Sequence, residues 1–226
     1  LESLIHAGSE NETEVEVVSL HSEHLETGNI QESLKSLDGI IVAPGFGERG
    51  IEGKIAAIAY AREHKIPFFG ICLGMQMAVI EYARNHVGLV KANSTEMEAD
   101  CSVPVIDLME SQKSIVKKGG TMRLGAWDCE LTSNTRAAAA YQKSTISERH
   151  RHRYEFNNDY IDQIFDQNFI VAGTNPETGL VEIVENKNHP WFVGVQFHPE
   201  YKSTVSDPHP LFKAFVKASL TKKLNP

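Results

Sequence analysis

The chain has 226 residues, 41% hydrophobic and 23% charged, enough for one self-supporting core without covalent staples. Its 22 Lys and Arg against 30 Asp and Glu leave a net charge of −8, the wrong sign for general nucleic-acid binding. No uncharged apolar run approaches the ~20 residues that span a bilayer, and three cysteines, an odd number, argue for a reducing, cytoplasmic setting over a disulfide framework.

Leu1, Leu4 and Ile5 stand at helical spacing before Gly8, which reads as the stop. The pattern is that of the end of a helix whose beginning, with a strand before it, lies outside the sequence. Residues 14–18 alternate acidic and apolar side chains as a half-buried strand does. Residues 38–42 predict a short buried strand, followed by the turn Pro44-Gly45-Phe46-Gly47. Residues 53–65 predict an amphipathic helix, 66–71 a second buried strand with Pro67 at its mouth, and 73–85 another helix. Strand and helix alternating through short connections predict a parallel sheet covered on both faces.

The second half reads differently. Gly119-Gly120 and Thr121-Met122-Arg123-Leu124-Gly125 predict hairpins. Residues 170–172 and 180–184 predict paired strands joined by a turn at 175–179, residues 192–197 a final strand, and 208–220 a closing helix. With no linker and no repeat, residues 1–226 are expected to form one domain.

Gly70-Ile71-Cys72-Leu73-Gly74 sits between a buried strand and a helix and has the nucleophile-elbow form, with Cys where hydrolases often carry Ser. The glycines permit a sharp turn, and the helix N terminus favours a thiolate at Cys72. The competing reading is a small buried hydrophobe. A base is offered by Phe197-His198-Pro199-Glu200: two residues apart in an extended segment, His198 and Glu200 project to one side, so the carboxylate can orient the imidazole. A surface corner without a role is the alternative. The loop from Gly45 to Gly50 matches the dinucleotide fingerprint, but the next strand ends at Cys72 with no acid to hold a ribose. Its glycines suit an oxyanion better, with the Gly45 and Leu73 N–H groups forming the hole.

These segments together, with Met75 and Gln76, resemble the class I (triad) glutamine amidotransferases. Ala92-Asn93-Ser94-Thr95-Glu96, the run from Gly120 to Gly125, and Glu148-Arg149-His150-Arg151-His152-Arg153-Tyr154-Glu155 are similar to the glutaminase half of CTP synthases. The resemblance covers essentially the whole chain. It implies an α/β fold, a flavodoxin-like, mostly parallel sheet with helices on both faces and hairpin strands in the C-terminal half. By motif position it implies Cys72 as nucleophile, His198 and Glu200 as the rest of a triad, and Gly45, Leu73, Gln76, Glu96 and Arg153 around glutamine. It further implies glutamine hydrolysis through a thioester, with ammonia passed to a synthetase domain that precedes this one and aminates UTP. ATP and magnesium belong to that domain and no cofactor to this one; GTP activation and a homo-oligomer are expected of the full-length protein. Neither nucleic acid nor membrane is an expected partner. A stand-alone γ-glutamyl hydrolase and a catalytically idle regulatory module remain alternatives. The family pattern Pro-Gly-Gly-Phe-Gly is here Ala43-Pro44-Gly45-Phe46-Gly47, which keeps Gly45 and places a fixed-φ residue before it.

The residue chemistry agrees with these roles. A guanidinium such as Arg153, read as alternating with Arg149 and Arg151 along a strand, is a natural fork for an α-carboxylate, and Glu96 suits an α-ammonium. His150 and His152 lack the further ligands a tetrahedral metal site needs, and arginines flank them. Cys101 and Cys129 read as packing residues and Met75, Met77 and Ile80 as helix core. Glu48-Arg49 reads as a lid or a solvated turn.

Overall fold

The computed structural model describes residues 1–108 and 122–225; Gly119, Gly120 and Thr121 of the expected hairpin lie outside them. Its helices are α1 (Glu2–Glu10), α2 (Ser22–Thr27), α3 (Ile30–Leu34), α4 (Ile51–Glu63), α5 (Leu73–Tyr82), α6 (Arg136–Tyr141), α7 (Ile161–Ile164) and α8 (Pro210–Leu224). The strands are β1 (Ile40–Val42), β2 (Phe68–Ile71), β3 (Ala92–Ser94), β4 (Val103–Leu108), β5 (Arg123–Leu131), β6 (Thr145–His152), β7 (Tyr154–Phe156), β8 (Phe169–Thr174), β9 (Val181–Asn186) and β10 (Phe192–Val195).

The main sheet runs β1-β2-β10-β9-β8-β5-β6 and a second sheet runs β3-β4-β7. β1, β2 and β10 are mutually parallel; from β10 outward every pairing is antiparallel. The α/β class is as expected, but the main sheet is mixed rather than mostly parallel, its parallel part confined to those three strands; in the second sheet β3 pairs parallel with β4. Their short apolar runs are buried on both faces: Phe68 and Phe192 pack with Ile55, Ile58 and Met77 under α4 and α5, while Phe69 and Val193 pack with Ala7, Phe212 and Phe215 under α1 and α8. That division is the period-two alternation of a strand expressed as two cores. Met75, Met77 and Ile80 are fully buried, as helix-core residues should be.

Three local expectations are corrected. Residues 14–18 form no strand: Val17 and Val18 are exposed, and the segment pairs with none of the described strands. Alternation reports which faces a strand would present, but a strand also needs a neighbour for its N–H and C=O groups. Gly8 does not stop α1, which continues to Glu10; a Cβ there would lie 2.8 Å from the Thr13 carbonyl oxygen, so the glycine serves a close approach. Arg153 does not extend the alternation of Arg149 and Arg151, because β6 ends at His152 and the chain bends before β7.

Parallel strands deliver their C-terminal connections to one edge of the sheet. The loop after β1 carries Gly45, β2 leads directly to Cys72, and β10 leads to residues 196–200. The smaller sheet brings Glu96, just after β3, and Arg153, just before β7, to the same edge.

Candidate active site

Cys72 caps α5 with φ 52 and ψ −103, a left-handed conformation that costs a non-glycine residue strain and is held here by its surroundings. The Cys72 N–H donates to the Val195 carbonyl at 2.7 Å, tying the turn to β10. Gly70 and Gly74 make the turn possible: a Cβ on Gly74 would lie 2.1 Å from the Val42 carbonyl oxygen, and one on Gly70 would lie 2.7 Å from the Gly74 carbonyl oxygen. The elbow is therefore packed backbone against backbone.

One small cleft is lined by Gly45, Phe46, Cys72, Gln76, Glu96, His152, Arg153 and Tyr154. Five of the residues expected from sequence are thus brought together, while Leu73 is buried and does not line the cleft. Glu96 and Arg153 give the cleft one anionic and one cationic group, the complement of an amino-acid head group. The Arg153 Nε is buried with no hydrogen-bond partner among the described residues, whereas Glu96 Oε1 accepts from the Gly47 N–H at 3.0 Å and so also holds the glycine loop. Arg49 turns away to pair with Glu23 of α2 at 2.7 Å.

His198 and Glu200 lie outside the cleft lining. His198 Nδ1 is 2.6 Å from Glu200 Oε1, its N–H donates to the Arg149 carbonyl at 2.8 Å, and its ring stacks on Tyr201. Its Nε2 is buried with no hydrogen-bond partner among the described residues. Cys72 Sγ accepts instead from Gln196 Nε2, at 3.6 Å.

Burial pushes the Cys72 thiol up to about 12; Glu200, Glu96 and Glu155 add to the effect, and the Leu73 N–H opposes it. The expectation that the helix N terminus favours a thiolate is thus outweighed by desolvation. A thiol so raised is protonated near neutrality, and a base must remove its proton as the nucleophile forms.

Behind the cleft lies a buried polar cluster. Arg123 Nη1 sits 2.7 Å from Glu182 and 3.3 Å from Glu155, and His150 Nδ1 is 2.8 Å from His152 Nε2. Burial, then the neighbouring positive charges, push His150 down to about 2 and His152 to about 3, so both are neutral. Two imidazoles hydrogen-bonded to each other are committed to one another, and among the described residues no group of three His, Cys, Asp or Glu is arranged to hold a metal.

Sequence reasoning missed Gln196 and the place of His152 in the cleft. Gln196 precedes His198 by two residues, but the extended segment expected to pair His198 with Glu200 is not there: β10 ends at Val195, residues 196–197 bend, and Pro199–Lys202 form a 3-10 helix that brings Glu200 back to the His198 ring, so no periodicity pointed to Gln196. His152 follows Ile146, Glu148 and His150 along the buried face of β6.

Residues 1–218 match the family model described as glutamine amidotransferase class-I. The chain belongs to that family. As a class-I glutamine amidotransferase it is 62% identical over 220 residues to the CTP synthase of Flavobacterium johnsoniae, covering 97% of this chain and 41% of that protein. It is 63% identical over 219 residues to that of Christiangramia forsetii, covering 97% and 40%. The chain therefore spans about two-fifths of the length of these relatives. Among solved structures, the glutaminase domain of Trypanosoma brucei CTPS with bound acivicin superposes with a TM-score of 0.90 at 37% identity, over 97% of this chain and 86% of that one. A GMP synthase subunit from Thermoplasma acidophilum shares the fold, with a TM-score of 0.62 at 16% identity over 97% and 87% of the two chains. Among the described residues no helix of this amidotransferase is long and apolar enough to cross a membrane.

Proposed function

We propose that this domain hydrolyses the side-chain amide of glutamine through a thioester on Cys72. The observation that carries the reading is the cleft itself, where a strained, helix-capping cysteine shares one lining with an acid and a guanidinium of opposite charge. Glu96 takes the α-ammonium and Arg153 the α-carboxylate, Gln76 borders the side chain, and the amide carbon reaches the sulfur. His198 Nε2 accepts the thiol proton as the C–S bond forms, and the Gly45 and Leu73 N–H groups stabilise the oxyanion. The same proton passes to the departing nitrogen, the C–N bond breaks and ammonia leaves. His198 then takes a proton from water, whose oxygen attacks the thioester; glutamate departs and the thiol is restored. Glu200 holds the imidazole and stabilises its charged form throughout.

The ammonia is passed, on this reading, to a synthetase domain that aminates UTP with ATP and magnesium, as the likeness to CTP synthases supports. ATP and magnesium act there, and no residue of this chain is assigned to either. GTP activation, a homo-oligomeric full-length protein and a cytoplasmic location belong to the same proposal. Free cysteines at 72, 101 and 129 support the location. The test is ammonia release from glutamine by the chain and by Cys72→Ala. The substitution is expected to abolish release while preserving the fold; undiminished release would overturn the scheme. Faster hydrolysis of γ-glutamyl peptides than of glutamine would redirect it to a γ-glutamyl hydrolase.

A further inference from the structure

We propose that Gln196 is a further catalytic residue, a donor that aims the Cys72 sulfur and shares the negative charge the sulfur acquires. Gln76 is its positioning residue, fixing which end of the Gln196 amide faces the thiol. This deepens the reading of Cys72 as nucleophile and rests on it.

Hydrogen-bond polarity fixes the orientation of both amides. The Tyr154 carbonyl can only accept, and the Gln76 Nε2 donates to it at 2.8 Å, which sets the direction of the Gln76 amide. The second N–H on that nitrogen meets Gln196 Oε1 at 3.1 Å. With its oxygen so engaged, Gln196 turns its NH2 to Cys72 Sγ, at 3.6 Å. A carbonyl that cannot donate thus orders two amides in series and leaves a donor on the sulfur.

The backbone makes the placement rigid. The Gln196 N–H donates to the Glu182 carbonyl at 2.9 Å, and the Cys72 N–H to the Val195 carbonyl at 2.7 Å, so the strand end bearing Gln196 is tied to the turn bearing the nucleophile. Both glutamines are buried. No flexible surface side chain takes part.

The electrostatics say why such a donor is useful. Burial, and after it the carboxylates of Glu200 and Glu96, disfavour an anionic sulfur, and the Leu73 N–H is the backbone donor that favours one. A thiol accepts hydrogen bonds weakly and a thiolate strongly, so the Gln196 bond strengthens as the S–H proton leaves for His198. Once Nε2 of His198 holds the proton, the imidazolium also donates to the sulfur, and the Gln196 bond adds a second, fixed donor.

The test is the rate of Cys72 alkylation by iodoacetamide in the full chain at a fixed, mildly alkaline pH, read by peptide mass spectrometry, with Gln196→Met and Gln76→Met alongside. Methionine keeps the length of the side chain and removes the amide. Below the midpoint of the thiol the rate follows the small thiolate fraction, so Gln196→Met is expected to lower it about 10- to 100-fold, the effect of losing a hydrogen bond to a charged group. It should lower kcat for glutamine about tenfold or more while KM changes little. Gln76→Met should slow alkylation by less. A reactive Cys72 alkylated at an unchanged rate in Gln196→Met overturns this inference and leaves the nucleophile reading intact. A Cys72 that resists the reagent in the unsubstituted chain overturns both. Should Gln196→Met fail to fold, Gln76→Met decides by the same rate: a fall supports the relay and no fall overturns it.

Discussion

His198 Nδ1 lies 2.6 Å from Glu200 Oε1, and this contact fixes which ring nitrogen is free for chemistry. Nε2 handles the proton and Glu200 orients the ring, so the two substitutions should rank. His198→Ala is expected to lower kcat about 10²- to 10⁴-fold, and Glu200→Gln by less. Single-turnover ammonia release measures both, and the reverse ranking would contradict the assignment.

Glu96 and Arg153 give the cleft its two charges, and the roles proposed for them separate kinetically. Arg153→Leu should raise KM for glutamine about 10- to 100-fold with a smaller change in kcat, the effect of one charge-assisted bond to substrate. Glu96→Gln should raise KM and also lower kcat, because Glu96 Oε1 holds the Gly47 N–H of the loop that carries Gly45. Steady-state kinetics decides, and a KM unchanged in Arg153→Leu would remove that residue from the substrate site.

The elbow glycines are steric requirements. A methyl on Gly74 would lie 2.1 Å from the Val42 carbonyl oxygen, an atom of β1 with no freedom to withdraw. Gly74→Ala should therefore cost about 3 kcal/mol or more, at or beyond the upper end of ordinary overpacking. Cys72→Ala at the neighbouring turn adds no atoms and should melt within a few degrees of the unsubstituted chain. Thermal unfolding followed by circular dichroism tests the pair, and equal melting temperatures would refute the close packing.

Stability should fall on the alkaline side of neutrality. Burial outweighs Arg123 and lifts Glu155 to about 8 and Glu182 to about 7 from an ordinary 4.5, since one guanidinium does not neutralise two buried carboxylates. The folded state then holds protons that the unfolded chain releases, so this contribution declines as pH rises from 4.5 to 8. His150 and His152 act oppositely: held below their ordinary 6.5, they lose stability as pH drops from 6.5 toward about 3. The two effects compete between 4.5 and 6.5, and above 6.5 only the carboxylates act. Glu182→Gln should flatten the fall in melting temperature from pH 6.5 to 8. A melting temperature that climbs through that interval in the unsubstituted chain would contradict the cluster's role.

Much of the site was legible because each part is a short motif directly after a buried strand. Cys72 and His198 are far apart in sequence, yet each follows a strand of the parallel set, and parallel strands share an active edge. The features that sequence could not reveal depend on neighbours. Residues 14–18 alternate correctly and form no strand, because alternation says nothing of a partner. Arg153 reaches the cleft through the bend after β6 rather than by the alternation of Arg149 and Arg151. The helix terminus does favour a Cys72 thiolate, as its N–H groups dictate, but burial of the sulfur is the larger effect and only the fold reveals it.

Covalent labelling by an electrophilic glutamine analogue, located by peptide mass spectrometry with and without excess glutamine, probes the proposed nucleophile most directly. One adduct on Cys72 is expected, suppressed by glutamine, with Cys101 and Cys129 unmodified. A chain that stays unlabelled at Cys72, or is labelled there equally well in the presence of glutamine, would contradict the thioester mechanism.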